Sequence, residues 1–172
     1  MSIDPAELDV VYYPDAILRQ KAAPIPEITD EVRAVAARMI ELMHEHDGIG
    51  LAAPQVGLPW RMFVTRGEDG EPETVFINPV LSLARGDLVP HEEGCLSLPG
   101  ITVDVRRPKA ASITAMDLDG NSFTLETDAF TARIWQHEFD HLDGRLIIDR
   151  MGPMDRLATR KQLRELEHAA RR

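Results

Sequence analysis

The run Gln136-His137-Glu138-Phe139-Asp140-His141 constrains this chain more than any other, because its residues can act as a unit only on a helix. Residues four apart stack on one helical face. His137 and His141 would then present two imidazoles to one metal ion, and Glu138 would lean over the open coordination position, where it can take a proton from an attacking water. The same helix has to be packed as well as displayed. It should begin near Asp128 and bury Ala132, Trp135, Phe139 and Leu142, so the core and the site share one element.

A two-histidine site needs a third protein ligand. A third histidine three residues after Gly144 is ruled out, since position 147 is Ile. The only cysteine, Cys95, lies in Glu92-Glu93-Gly94-Cys95-Leu96-Ser97-Leu98-Pro99-Gly100, a stretch bounded by residues that bend or stiffen the backbone. Its thiolate would complete a Cys/His/His set with one position left for water, the pattern of a catalytic rather than a structural site. A carboxylate further along, Glu165 or Glu167, is the alternative third ligand and would make the chain a zinc endopeptidase. A metal-sensing or metal-storage domain would use the same ligands but has little need of Glu138.

The third constellation is Asp47-Gly48-Ile49-Gly50-Leu51-Ala52-Ala53-Pro54-Gln55-Val56-Gly57. No Lys-Ser/Thr follows it and its glycine spacing fits no nucleotide fingerprint, which argues against a phosphate loop. Small residues instead allow an extended substrate to approach closely, with the Gln55 amide free to donate to a carbonyl oxygen.

Together these segments resemble the peptide deformylase family, whose motifs read Gly-x-Gly-Leu-Ala-Ala-x-Gln, Glu-Gly-Cys-Leu-Ser and His-Glu-x-x-His in that order. The resemblance runs from Tyr13-Pro14-Asp15 and Leu18-Arg19 to the helix bearing His141. It implies a mononuclear metallohydrolase, ferrous in the cell, that removes the N-formyl group from the initiator methionine of nascent bacterial or organellar proteins. One ion per chain would be held by Cys95, His137 and His141, with Zn2+, Ni2+ or Co2+ as substitutes for Fe2+. Glu138 would be the base, and the Gln55 amide and the Leu96 backbone N–H would meet the oxyanion. Gly48, Ile49, Gly50, Glu93, Phe130, Arg133 and Ile134 would line the substrate pocket, Arg133 through its aliphatic stem. The chain departs from the family pattern at Thr102, where many members carry an arginine that can bond the substrate backbone.

At 172 residues one domain is expected to span the chain. No apolar run approaches the roughly 20 residues needed to cross a membrane. The acidic opening Met1-Ser2-Ile3-Asp4-Pro5-Ala6-Glu7 shows no secretory signal, and a lone cysteine forms no internal disulfide, so the cytoplasm is the expected setting; a monomer is the expected state. A net charge of −10 argues against sequence-specific or broad nucleic-acid binding. After Arg150 the balance inverts, and Arg156, Arg160, Lys161 and Arg164 recur every three or four residues; with Leu157 and Leu166 packing inward, that helix is either an ordinary solvated helix end or a surface for docking on ribosomal RNA phosphates near the nascent-chain exit.

The pattern predicts helices from Thr29 or Asp30 to about His46, with Val32, Val35, Ala36, Met39, Ile40 and Met43 on its apolar stripe, and from Pro153 to about Ala170. Strands are expected over Arg61–Thr65, Thr74–Asn78, Ala111–Asp117 and Ser122–Thr127, the last two joined by a hairpin at Asp119-Gly120. Helices do not alternate with strands as a doubly wound fold requires. The expected class is α+β, with mostly antiparallel sheet packed around the central His-Glu-x-x-His helix and a C-terminal helix to follow.

Overall fold

The computed structural model describes residues 3–172; Met1 and Ser2, which open the acidic N-terminal stretch, lie outside the described residues. Its elements are α1 (Asp30–Glu45), β1 (Gly50–Ala52), β2 (Met62–Thr65), β3 (Thr74–Gly94), β4 (Thr102–Met116), β5 (Ser122–Thr127), α2 (Phe130–Leu142) and α3 (Pro153–Ala169). The strands form one antiparallel sheet in sequence order, β1-β2-β3-β4-β5. No helix among the described residues is long and apolar enough to cross a membrane.

The alternation of side chains along β2 explains where the two long internal helices lie. Successive residues of a strand point to opposite faces. Met62 and Val64 pack with Val32, Val35, Met39 and Met43 of α1, while Phe63 between them packs with Ala132, Trp135 and Leu142 of α2. The β1–β3 part of the sheet therefore separates α1 from α2, and all four residues of β2 are buried. A third cluster, with Leu18, Leu98, Val103, Val105 and Ile147, closes the far end of β4.

α1 starts where the capping signal places it: Thr29 accepts a hydrogen bond from the Val32 N–H at 3.3 Å. Its expected stripe is buried except Ile40, which is partly covered. α2 begins two residues later than expected, at Phe130 rather than Asp128. Phe139 is not in the core but half-buried beneath the Arg61 guanidinium, 5.0 Å from its ring centroid.

β3 departs most from expectation, because it runs on from Asn78 to Gly94. Pro79 and Pro90 conceal this continuation, since each lacks the N–H that a central strand must donate. Beyond Leu81, however, β3 pairs only with β4 among the described residues. Register shifts at Ile77/Val80 and Arg85/Leu88 absorb Pro79 and Gly86, whose φ is +92°. Cys95 thus follows directly on a strand end. The segment after α1, which carries Gly48 to Gly57, contains β1 and a 3-10 turn over Ala53–Val56.

Candidate active site

Three segments distant in sequence meet over α2. The N-terminal stretch ties two of them together: the Val11 N–H donates to the Gln55 carbonyl at 2.7 Å, and the Tyr13 N–H donates to that of Ser97 at 2.9 Å. The third comes from α2 itself.

The sulfur of Cys95 lies 3.5 Å from His141 Nε2, and the two Nε2 atoms of His137 and His141 are 3.2 Å apart. All three donor atoms fall within 4.8 Å of one another. Ligands at about 2.0 to 2.3 Å from a shared tetrahedral ion stand roughly 3.3 to 3.6 Å from each other. The spacing and the S/N/N chemistry both fit a single borderline-soft divalent cation. The carboxylate alternative fails: Glu167 accepts a hydrogen bond from the Tyr13 hydroxyl at 2.9 Å, and neither it nor Glu165 lines the cavity.

His137 is aimed by Glu93. Its Nδ1 donates to Glu93 Oε2 at 3.0 Å, which leaves Nε2 to face Cys95 and His141. Burial would raise the Glu93 carboxyl, but the hydrogen bonds from His137 and Arg107 outweigh it and hold the group well below the usual carboxylate range. Arg107 grips Glu93 through Nε at 2.6 Å and Nη2 at 3.0 Å, and extends Nη1 to Asp140 at 2.9 Å. Arg133 donates to Glu93 Oε1 at 2.7 Å and to the carbonyls of Val105 and Val89. Arg150 closes the chain with two bonds to Asp140, at 2.5 and 2.6 Å.

Glu93 therefore has its oxygens committed to His137 and two guanidinium groups. Sequence reasoning missed Arg107 and Arg150. A signal for Arg107 exists: in Thr102–Arg107 every second residue is buried, so Arg107 shares the covered face with Val103 and Val105 and requires an acidic partner.

Beside the ligands, Gln55 is buried and oriented. Its Oε1 accepts from the Ala52 N–H at 3.0 Å, so its Nε2 must point toward Cys95 Sγ, at 3.5 Å, and Ser97 Oγ, at 3.3 Å. Glu138 is also buried, and its Oε2 has no partner among the described residues. Burial, with the nearby His137 acting the other way, pushes its carboxyl up to about 7. His141 Nδ1 is likewise buried and unpartnered among the described residues.

A cavity of about 670 Å³ opens onto these groups. Gly48, Ile49, Gly50 and Gln55 line one side, Glu93, Cys95 and Leu96 the next, and Phe130, Arg133, Ile134, His137 and Glu138 of α2 the floor. His141 lies behind, almost fully buried. Arg133 lines the cavity while its guanidinium is held by Glu93 and the carbonyls of Val105 and Val89. Ile49 and Phe130 are about half exposed at the mouth, and Thr102 lies on the rim.

Three convergent soft and imidazole donors, with an unpartnered buried carboxylate and a fixed amide donor beside them, define a metal-dependent hydrolase. The comparisons narrow the class. A profile of the family described as Polypeptide deformylase matches residues 7–157. A peptide deformylase of Borreliella burgdorferi is 47% identical over 142 residues, covering 83% of this chain and 86% of that protein. The crystal structure of Arabidopsis thaliana peptide deformylase 1B in complex with an inhibitor is 41% identical, with a TM-score of 0.89 over 95% of this chain and 92% of that one. That of a Synechococcus elongatus peptide deformylase in complex with actinonin is 40% identical, with a TM-score of 0.87 over 92% and 89%. The chain belongs to the peptide deformylase family. It is a hydrolase that removes the N-formyl group from nascent peptides.

Proposed function

We propose that Cys95, His137 and His141 hold one ferrous ion per chain, replaceable by Zn2+, Ni2+ or Co2+, and that Glu138 is the general base for hydrolysis of formylmethionyl peptides. The observation that carries this reading is the convergence of one sulfur and two ring nitrogens within 4.8 Å of one another beside a buried carboxylate oxygen that has no partner among the described residues. When bound, the ion supplies a Lewis acid that polarises the formyl carbonyl and acidifies water.

The remaining work falls to the chain. Glu138 receives the proton of the attacking water and returns it to the departing amine, a cycle suited to a carboxyl near neutrality. The Gln55 Nε2 and the Leu96 backbone N–H donate to the charge that develops on the formyl oxygen. Glu93 lines the cavity and keeps His137 in the tautomer that points Nε2 inward. The products are formate and a free α-amino terminus. Ile49, Phe130, Ile134 and the Arg133 stem, with Gly48, Gly50 and Leu96, enclose the unbranched methionine side chain, whose flexible thioether suits an apolar pocket.

The chain acts as a single-domain monomer in the cytoplasm. α3 carries Arg156, Arg160, Lys161 and Arg164 on its exposed surface, which supports docking on ribosomal RNA phosphates. The packing expected of Leu157 is corrected: Leu157 is 68% exposed, and Leu163 and Leu166 hold the helix instead.

Formate release from formyl-Met-Ala-Ser, acetyl-Met-Ala-Ser and formyl-Asp-Ala-Ser tests this reading. The first should be hydrolysed far faster than the other two. Comparable rates on the acetyl or aspartyl peptide would overturn it.

A further inference from the structure

The ionisable groups around the cavity are fixed in two ways. Glu93 and Arg133 are fixed by hydrogen bonds on several sides. Glu138 is not: its Oε2 is buried without a partner among the described residues, and its Oε1 lies where a side chain at Gly50 would begin. A Cβ at position 50 would fall 2.5 Å from Glu138 Oε1, 2.8 Å from Cδ and 2.9 Å from Cγ. Carbon–oxygen and carbon–carbon contacts do not become that short, so the carboxylate occupies the space a side chain at 50 would need.

Two other reasons for a glycine here fail. The backbone does not demand one, because Gly50 has no positive φ and is paired as an ordinary strand residue with Thr65. Nor is close packing general to the cavity's glycines. A Cβ at Gly94 would find its nearest neighbours at 3.8 Å, and one at Gly48 would press hardest on the flexible end of Leu96, at 3.0 Å. Of these three glycines, Gly50 alone presses on the Glu138 carboxylate.

We propose that Gly50 is a positioning residue for deformylation: its missing side chain forms the slot that fixes the Glu138 carboxylate against β1. The proposal rests on the reading of Glu138 as the base. β1 is a firm wall for this purpose, buried along its length and paired through Gly50, Leu51 and Ala52 to β2. A hydrogen-bond donor would orient the carboxylate equally well, but it would also stabilise the charged form and weaken the base. A steric slot orients it without that loss.

The test is a double-mutant cycle on nickel-loaded protein: wild type, Gly50→Ala, Glu138→Asp and Gly50→Ala/Glu138→Asp, with Glu138→Ala alongside. Steady-state kinetics on formyl-Met-Ala-Ser and metal content per chain are read for each. Gly50→Ala should lower kcat on the order of 10- to 10²-fold, as a displacement of about an ångström does, with KM within threefold of wild type and one metal per chain. In the Glu138→Asp background, where the carboxylate is one methylene shorter, the same substitution should cost less than threefold. A kcat within twofold of wild type for Gly50→Ala, an equal loss in both backgrounds, or loss of metal overturns the proposal. If Glu138→Ala is itself close to wild type, the base assignment falls and the proposal falls with it; if Glu138→Ala is inactive while Gly50→Ala is not, only the positioning proposal falls. Should Gly50→Ala not fold alone, recovery of folded protein on adding Glu138→Asp supports the slot, and failure to fold in both backgrounds overturns it.

Discussion

The α2 side of the molecule and α3 carry charge in opposite ways. Around α2, the side chains of Glu93, Arg107, Arg133 and Asp140 are nearly inaccessible, and each is matched by hydrogen-bonded partners at 2.5 to 3.0 Å. On α3 the cations are exposed, and Lys161 reaches Glu165 only at 3.9 Å. Buried charges of this kind hold a geometry and cannot be removed one at a time, because the partner left behind has lost its solvent. Exposed ones contribute little to stability and remain available to something outside. The first arrangement aims a histidine, whereas the second can only present a surface.

Predictions from this contrast run from large effects near α2 to small ones at α3. Cys95→Ala should abolish most metal binding and activity, since two imidazoles alone are a poor site; a folded variant with stoichiometric metal and near-wild-type turnover would return the third-ligand question to the carboxylates. Arg107→Met should destabilise the fold by about 3 to 5 kcal/mol, the cost of stranding a buried partner, here both Glu93 and Asp140. It should also weaken metal retention by loosening His137. Urea unfolding together with metal titration reads both, and a loss under about 1 kcal/mol would show that the frame is not what holds the site.

The pH profile is a subtler probe. Glu138 must be ionised to act as a base, so kcat/KM should rise with pH. Burial places the carboxyl at about 7 in the metal-free chain, and an adjacent cation favours the charged form and lowers it further. The acidic limb of the metal-loaded enzyme should therefore have its inflection below about 7, and a limb centred above that value would contradict the role given to Glu138. At α3, Arg160, Lys161 and Arg164 replaced together by Glu should leave hydrolysis of a short peptide unchanged and weaken ribosome co-sedimentation at low salt. Unchanged co-sedimentation would remove α3 from the docking account.

The same contrast explains what the sequence made legible. Local patterns carried through well: the Thr29 cap, the α1 stripe, the Asp119-Gly120 hairpin and the one-turn spacing of His137 and His141 each need only a few neighbouring residues to specify them. The three motifs were equally legible because their residue types and spacing are tied to chemistry. Long-range consequences were not. β3 beyond Asn78 was hidden by prolines that a strand tolerates only where its other edge is unpaired, a fact about topology. β1 is three residues long, too short for any periodicity to register. Arg107 and Arg150 carry no motif, and their importance appears only once β4 and α2 place them beside Glu93 and Asp140. Leu157 was misplaced because α3 touches the domain along one narrow seam, where a small rotation of the helix decides which leucine faces inward.

In the proposed site, labour is divided: three residues hold the ion and a fourth, Glu138, does the proton chemistry without holding it. Metal content and turnover measured together on Glu138→Ala test that division. One ion per chain with formate release reduced by about 10²- to 10⁴-fold is the result expected for removal of a general base. Loss of the ion, or turnover within tenfold of wild type with the ion in place, would contradict it.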